Sequence, residues 1–292
     1  MISRRLFRTV LALVVAGVMM SSWGVRAHTT SAAPAHAKTL VIGNIGWDED
    51  VAINSVLQIA FQQRGYNVTL RLADAGLLYG GLAQGSIDVF MDGWLPLTHK
   101  AYWARYHTKL IKLNTWYKGP ANLGLAVPDY SPAKSIADLN KYASLFGGQI
   151  TGIEPGAGEM AIVQSKVIPG YNLHLRLLEA STPAMLATLQ RDVKAKKEIV
   201  VTLWKPHWAF TAYPIRYLTD PKHLMGGTEQ VWAIVRKGLA TSDPTAYKVL
   251  SRVSMTQQQL GTLELAIKAQ GPAAGAQSWL KTNKSVVDAW FK

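Results

Sequence analysis

The sequence contains no cysteine in its 292 residues. That excludes disulfides, thiolate metal sites, a cysteine nucleophile and a lipid-modified N-terminal cysteine. Acidic residues are scarce, 18 Asp and Glu against 31 Lys and Arg, for a formal charge of +13. Charged residues make up only 17% and hydrophobic ones 49%, which excludes disordered, collagen-like and coiled-coil chains. The sequence also lacks a His-Glu-x-x-His pair, a P-loop, a Gly-x-Ser-x-Gly elbow and an EF-hand loop. Gly156-Ala157-Gly158 is a fragment of a dinucleotide fingerprint without its third glycine. No histidine is spaced with carboxylates as a metal ligand set, and nothing marks Asp88 or Asp92 as an acid of tuned strength. We therefore expect no metal, no cofactor and no catalytic residue. The abundant residue is tryptophan, with ten copies. A buried indole N–H needs a partner, so so many are rarely spent on core alone.

Met1 to Arg8 carries Arg4, Arg5 and Arg8 and no acid, and the apolar run Val10 to Met20 follows. That run is too short to span a bilayer. Small residues come next, and Ala35-His36-Ala37 fits a cleavage site, with Ala27 as the alternative. Residues 1–37 thus read as a secretory signal peptide. Ser3-Arg4-Arg5-Leu6-Phe7 also resembles a twin-arginine export signal. Cleavage after Ala37 removes four arginines and no acid, leaving +9. The remaining cations are scattered except at Lys194-Ala195-Lys196-Lys197, which reads as the solvated face of a helix and not as a nucleic-acid patch. The mature chain is expected to be free in the periplasm, monomeric, and not a lipoprotein.

Hydrophobic patterning gives a buried strand at 38–44 and a helix N-capped by Asp48, with Ala52, Val56, Ile59 and Ala60 at helical spacing. Strands follow at 67–72, 87–91 and 123–127, with a short helix over 77–83. The pattern then restarts: a helix over 136–146, a strand over 149–153, a turn at 155–158 into a helix over 159–167, and a helix over 183–196. Strands at 199–203 and 231–235 precede a helical tail from Pro244. Alternating strands and helices predict an α/β fold with mainly parallel sheets. The expected division is lobe 1 from 38–128 and 222–292, and lobe 2 from 129–221, with a ligand cleft between the lobes.

Three tryptophans stand just past predicted strands: Trp47 in Gly46-Trp47-Asp48, Trp94 in Asp92-Gly93-Trp94-Leu95-Pro96, and Trp204 in Trp204-Lys205-Pro206-His207-Trp208. Any one of them reads equally well as a core aromatic. Three at equivalent positions point to a site, because open α/β sheets bind ligands at the C-terminal ends of their strands. Indole faces attract a cation that has no hydrogen-bond donors, a quaternary ammonium, by about 0.5–2 kcal/mol each. Gly156 to Gly158 opens a helix whose first N–H groups lack partners, which favours an anion. His99 adds a second donor, or is an ordinary surface histidine. A cation cage beside an anion pocket describes a small zwitterion.

Those segments, with Gly43-Asn44-Ile45-Gly46-Trp47-Asp48, Phe90 to His99, Gly152 to Gly158 and Val200 to Trp208, resemble the glycine betaine-binding proteins of osmoprotectant ABC importers. The similarity spans essentially the whole of residues 38–292. It implies the two-lobed fold of periplasmic binding proteins, no enzymatic activity, and delivery of the ligand to an inner-membrane permease. It implies a cage at Trp47, Trp94 and Trp204, and a betaine carboxylate held by His99 and by the backbone N–H groups of Gly158 and Glu159. Position 159 is often apolar in relatives. Here it is Glu, whose side chain is expected to point away from a ligand carboxylate. A choline receptor of the same fold needs no anion pocket and favours an acid near the ligand hydroxyl, for which Glu49 and Glu159 are available. An exported enzyme acting on quaternary amines is the remote alternative.

Overall fold

The computed structural model describes residues 38–292. The signal-peptide reading falls on residues 1–37, outside the described residues. Twelve strands lie in the described part: β1 (Lys38–Asn44), β2 (Tyr66–Leu72), β3 (Val89–Leu95), β4 (Leu110–Thr115), β5 (Tyr117–Lys118), β6 (Asn122–Pro128), β7 (Gln149–Thr151), β8 (Arg176–Leu178), β9 (Val201–Lys205), β10 (Ile215–Tyr217), β11 (Gln230–Arg236) and β12 (Met255–Thr256). They form two five-stranded sheets, ordered β2-β1-β3-β11-β4 and β10-β6-β9-β7-β8, with β12 paired to β5.

Both sheets are mixed. β1 runs parallel to β2 and β3, while β11 runs antiparallel to β3 and β4. In the second sheet β6 runs antiparallel to β9 and β10, and β7 runs parallel to β8 and β9. These antiparallel neighbours lengthen the ladders beyond the sequence-based expectation. Trp94 pairs with Val231 inside β3, and Trp204 pairs with Leu123 inside β9. Only Trp47 stands past a strand end. The expected boundary at 128 also moves. Asn122–Pro128 hydrogen-bonds between β9 and β10, so the chain crosses to the second sheet between Lys118 and Asn122. It returns ahead of β11, and an Ala121–Glu229 bridge joins the two crossing segments.

The helix Asp48–Gln62 packs Ile53, Val56, Leu57, Ala60 and Phe61 on one face of the first sheet, beside the helices Gln257–Gln270 and Pro272–Trp290. Its first turn holds Asp48, Glu49 and Asp50, acids that the N-terminal end of the helix dipole favours. Asp48 is not the expected N-cap. Trp47 takes that position, and no side chain caps the helix there. The other face of the sheet is covered by the helix Ala75–Gln84, which Gly85 ends in the left-handed region (φ 80°), and by Lys100–Tyr106. One core cluster runs through both sheets, from Leu40 and Ile53 to Val201 and Trp204.

The helix expected over 136–146 does not form. A 3-10 turn, Ile136–Asp138, is followed by further tight turns with bonds such as Leu145 N–H to Tyr142 O and Phe146 N–H to Ala143 O. The Asp138 carboxylate accepts the N–H groups of Lys134 and Ser135, and Asn140 accepts from His174 N. The Asp138 bonds close a capping box with Ser135 at the start of the segment, and Gly147 and Gly148, both in the left-handed region, end it. Leu57 lies fully buried beneath the first sheet. Leu57→Ala is expected to cost about 2–5 kcal/mol, read as a lower urea midpoint with unchanged slope.

Candidate functional site

Trp47, Trp94 and Trp204 converge on one narrow cavity of about 10 Å³, whose wall is completed by Thr98, Leu123, Ile153 and Glu159. The three indoles come from different elements: the N-cap of Asp48–Gln62, β3 and β9. None is more than 5% exposed. The rings of Trp47 and Trp204 are 5.7 Å apart and tilted by 46°.

Carboxylates behind the wall hold two of these rings. Trp94 Nε1 donates to Asp92 Oδ1 at 3.0 Å, and Trp204 Nε1 donates to Glu49 Oε2 at 2.8 Å. The second bond joins the helix on the first sheet to a strand of the second. Asp48 does the same beside it. Its Oδ1 accepts Trp208 Nε1 at 2.6 Å, its Oδ2 lies 3.1 Å from His207 Nε2, and Lys268 stands 3.4 Å above the Trp208 ring. Tyr102 adds a third tie, donating to Gly156 O at 2.9 Å. Trp47 Nε1 has no partner among the described residues.

His99 is fully buried, not the surface histidine that the sequence left open. Its ring stacks on Trp47 at 5.9 Å, with Tyr79 edge-on at 5.5 Å. The backbone N–H of Trp94 donates to His99 Nδ1 at 3.1 Å. A backbone N–H can only donate, so Nδ1 is the acceptor and the proton sits on Nε2. That Nε2–H is buried and unpartnered. Burial pushes the His99 pKa down to about 3, which keeps the ring neutral. His99 reaches the cavity through Trp47 and Trp94 and is not itself part of the wall.

Gly158 packs on the other segment of the site. A Cβ there would strike the carbonyl oxygen and side chain of Thr98, so only glycine permits this approach. Glu159 departs from expectation. Its side chain lines the cavity, and both carboxyl oxygens are buried without partners. Burial pushes its pKa up to about 8, against a partial opposing pull from the N–H groups of Gly124 and Leu203.

Burial likewise raises Glu49, with the Asp92 charge adding to the shift, and raises Asp92, with Asp50 adding. Asp50 is raised to about 7 and Glu264 to about 8, both chiefly by burial. Asp92 thus carries the shifted acidity that its sequence context did not mark. Burial also acts to raise Asp48, but His207, Trp208 and Lys268 outweigh it and hold that carboxyl below its usual value. No Lys or Arg among the described residues is buried.

Sequence reasoning missed Glu229. It stands 131 residues from Thr98, so no local spacing could have exposed it. Its Oε1 accepts the N–H groups of Leu97 and Thr98 at 2.7 and 2.9 Å, and its Oε2 accepts the Thr98 hydroxyl. This carboxyl fixes the turn that carries His99.

Two α/β lobes closing on a buried, aromatic-lined cavity define the class, a two-lobed ligand-binding protein. The chain belongs to the family of substrate-binding domains of ABC-type glycine betaine transport systems, which it matches over residues 38–282. It is 36% identical over 174 residues to the glycine betaine/carnitine transport binding protein GbuC of Listeria monocytogenes serotype 1/2a (strain 10403S). That alignment covers 58% of this chain and 56% of GbuC, so the chain spans little more than half of that relative. The lactococcal OpuAC crystal structure, in its closed-liganded conformation complexed with glycine betaine, superposes with a TM-score of 0.82 at 37% identity. It covers 87% of this chain and 100% of that one. The glycine betaine/L-proline-binding protein ProX of Borrelia burgdorferi gives 0.82 at 32% identity, over 87% and 96% of the two chains. Among the described residues no helix is long and apolar enough to cross a membrane.

Acids with raised pKa hold protons in the native state that the unfolded chain releases. Their stabilising contribution is present at low pH and is lost as pH rises through the native values. With Asp50 near 7 and Glu159 and Glu264 near 8, the empty protein should lose unfolding free energy as pH rises from about 5.5 to about 9. Urea unfolding across that range checks the sign, and a flat or rising profile contradicts it. Glu229→Ala leaves buried donors unpaired at about 1–3 kcal/mol each. It should lower the urea midpoint and weaken ligand binding although Glu229 is not on the cavity wall.

Proposed function

We propose that this protein captures a quaternary ammonium osmolyte, glycine betaine or a close analogue, and delivers it to the permease of an ABC importer. In this reading it works in the periplasm after export and performs no chemistry on the ligand. The observation that supports the reading is the lining of one cavity by three tryptophans beside buried carboxyls, with no buried Lys or Arg among the described residues. A trimethylammonium group has no hydrogen to donate, and each indole face contributes about 0.5–2 kcal/mol to holding it. The names of GbuC and of the OpuAC complex agree with that chemistry, since they specify glycine betaine/carnitine and glycine betaine.

The ligand carboxylate then falls to the free Nε2–H of His99 and the N–H groups of Gly158 and Glu159, at the start of the helix Gly158–Ile162. Because the wall draws on both lobes, the ligand bridges them and shifts the balance toward the closed form. One observation favours a second reading, a choline receptor: the Glu159 carboxyl lines the cavity instead of pointing away from it.

Calorimetric titration with glycine betaine, choline and carnitine tests the reading. Trp47→Ala, Trp94→Ala and Trp204→Ala should each weaken betaine binding at least tenfold with the fold intact, while Phe or Tyr retains part of the affinity. Near-wild-type binding by two of the Ala variants contradicts the cage. His99→Ala should cost betaine about ten- to a hundredfold and choline little, as fits a lost hydrogen bond to a charged group of about 1.5–3 kcal/mol. An equal loss for both ligands makes His99 a packing residue.

A further inference from the structure

Glu159 is the one acid whose side chain forms part of the cavity wall. It is 2% exposed, and neither carboxyl oxygen has a hydrogen-bond partner. Glu49 and Asp92, by contrast, each accept an indole N–H, and Asp50 accepts from Ile45 N and Asn54. Glu159 thus faces the space the ligand would fill, with both carboxyl oxygens free to bond there.

The groups packed around it are few. β6 and β9 present the backbone N–H groups of Gly124 and Leu203, which face the carboxyl without reaching bonding geometry. From β10 comes Tyr217, whose hydroxyl donates to Asn122 O and Leu203 O and is kept un-ionised by burial, with the Glu159 charge adding to that effect. Lys205 stands over the far side of that chain, 5.0 Å from the Tyr217 ring centre. From the first lobe the neighbours are indoles and Thr98. Two further acids lie behind them, Glu49 bound to Trp204 and Glu229 bound to Thr98. No cation is paired with Glu159 among the described residues.

Resting on the quaternary ammonium reading, we propose that the protonation state of Glu159 selects the ligand class of this cavity. As the neutral acid, Glu159 donates its O–H to the carboxylate of a zwitterion such as glycine betaine. As the carboxylate, it is the counter-ion for a cation that brings no carboxylate, such as choline. The proton balance differs accordingly. Choline binding drives the Glu159 proton into solvent, whereas betaine binding keeps it on the acid. Burial pushes the acid to about 8 in the empty protein, so both forms are reachable in ordinary buffers. His99, pushed down to about 3, stays neutral over the same interval and does not blur the effect.

The test is calorimetric titration of the purified protein with glycine betaine and with choline, between about pH 6.5 and about pH 9, in two buffers of unlike ionisation enthalpy. Choline affinity should rise roughly tenfold or more over that interval, with net proton release at the lower pH. Betaine affinity should fall over the same interval, with no release. Glu159→Gln, locked in a neutral donor, should flatten both profiles, hold betaine near its low-pH affinity and leave choline weak. Glu159→Met should flatten both profiles and weaken betaine as well, because the donor is gone. The wild-type proton count needs no variant, so the proposal stays testable if either substitution unfolds the chain. Binding of both compounds with flat or parallel wild-type profiles, or profiles unchanged in Glu159→Gln, overturns this proposal and leaves the receptor reading standing. Binding of neither compound overturns the receptor reading, and this proposal with it.

Discussion

The site depends on the hydrogen bonds between the acidic first turn of the helix Asp48–Gln62 and the indoles that face it from the second sheet. A helix N-terminus favours carboxylates, and its own N–H groups lack intrahelical partners. Burying Glu49 and Asp50 there, with Asp48 half-exposed beside them, is nonetheless costly unless donors reach them. Trp204 and Trp208 supply those donors from the other lobe, while Ile45 and Asn54 supply them from within the first. The same bonds satisfy indole N–H groups that would otherwise be stranded in the core. One set of contacts thus orients the Trp204 ring against Trp47, joins the two sheets, and leaves the indole faces free of the polar work done at their edges.

A consequence is the separation of charge between inside and outside. The chain carries a large excess of Lys and Arg, yet the buried charged residues around the cavity are all acids. Burial, together with neighbouring acids for Glu49 and Asp92, holds Glu49, Asp92 and Glu159 above the usual carboxyl pKa. On the proposed reading, this interior suits a guest that brings positive charge. Glu229 and His99 serve the opposite pole: one carboxyl pins the turn at Leu97 and Thr98, and the turn presents an imidazole whose remaining N–H is free.

Much of this was legible in the sequence where the signal is local. The strands near 38–44, 67–72, 199–203 and 231–235 announce themselves as apolar runs, and the three tryptophans stand in recognisable segments beside them. What stayed hidden depends on partners far along the chain. Trp94 and Trp204 lie within strands because antiparallel neighbours, β11 and β6, carry the ladders past the apolar runs. The segment 136–146 has helical spacing but folds as a 3-10 turn and further tight turns, tied through Asn140 to Asn172 and His174. Asp48 looks like an N-cap and instead reaches across the lobes to Trp208. The Glu159 side chain lines the cavity next to the packing of Gly158 on Thr98, a contact between segments about 60 residues apart that no spacing rule encodes.

On the proposed function, the cavity among Trp47, Trp94 and Trp204 holds a quaternary ammonium group between the lobes. A crystal structure of the protein grown with glycine betaine tests it most directly. Trimethylammonium density enclosed by the three indoles is the expected result, with the ligand carboxylate directed toward His99 and the segment at Gly158 and Glu159. Betaine bound elsewhere, or with its trimethylammonium group outside the three indoles, would contradict the proposed site.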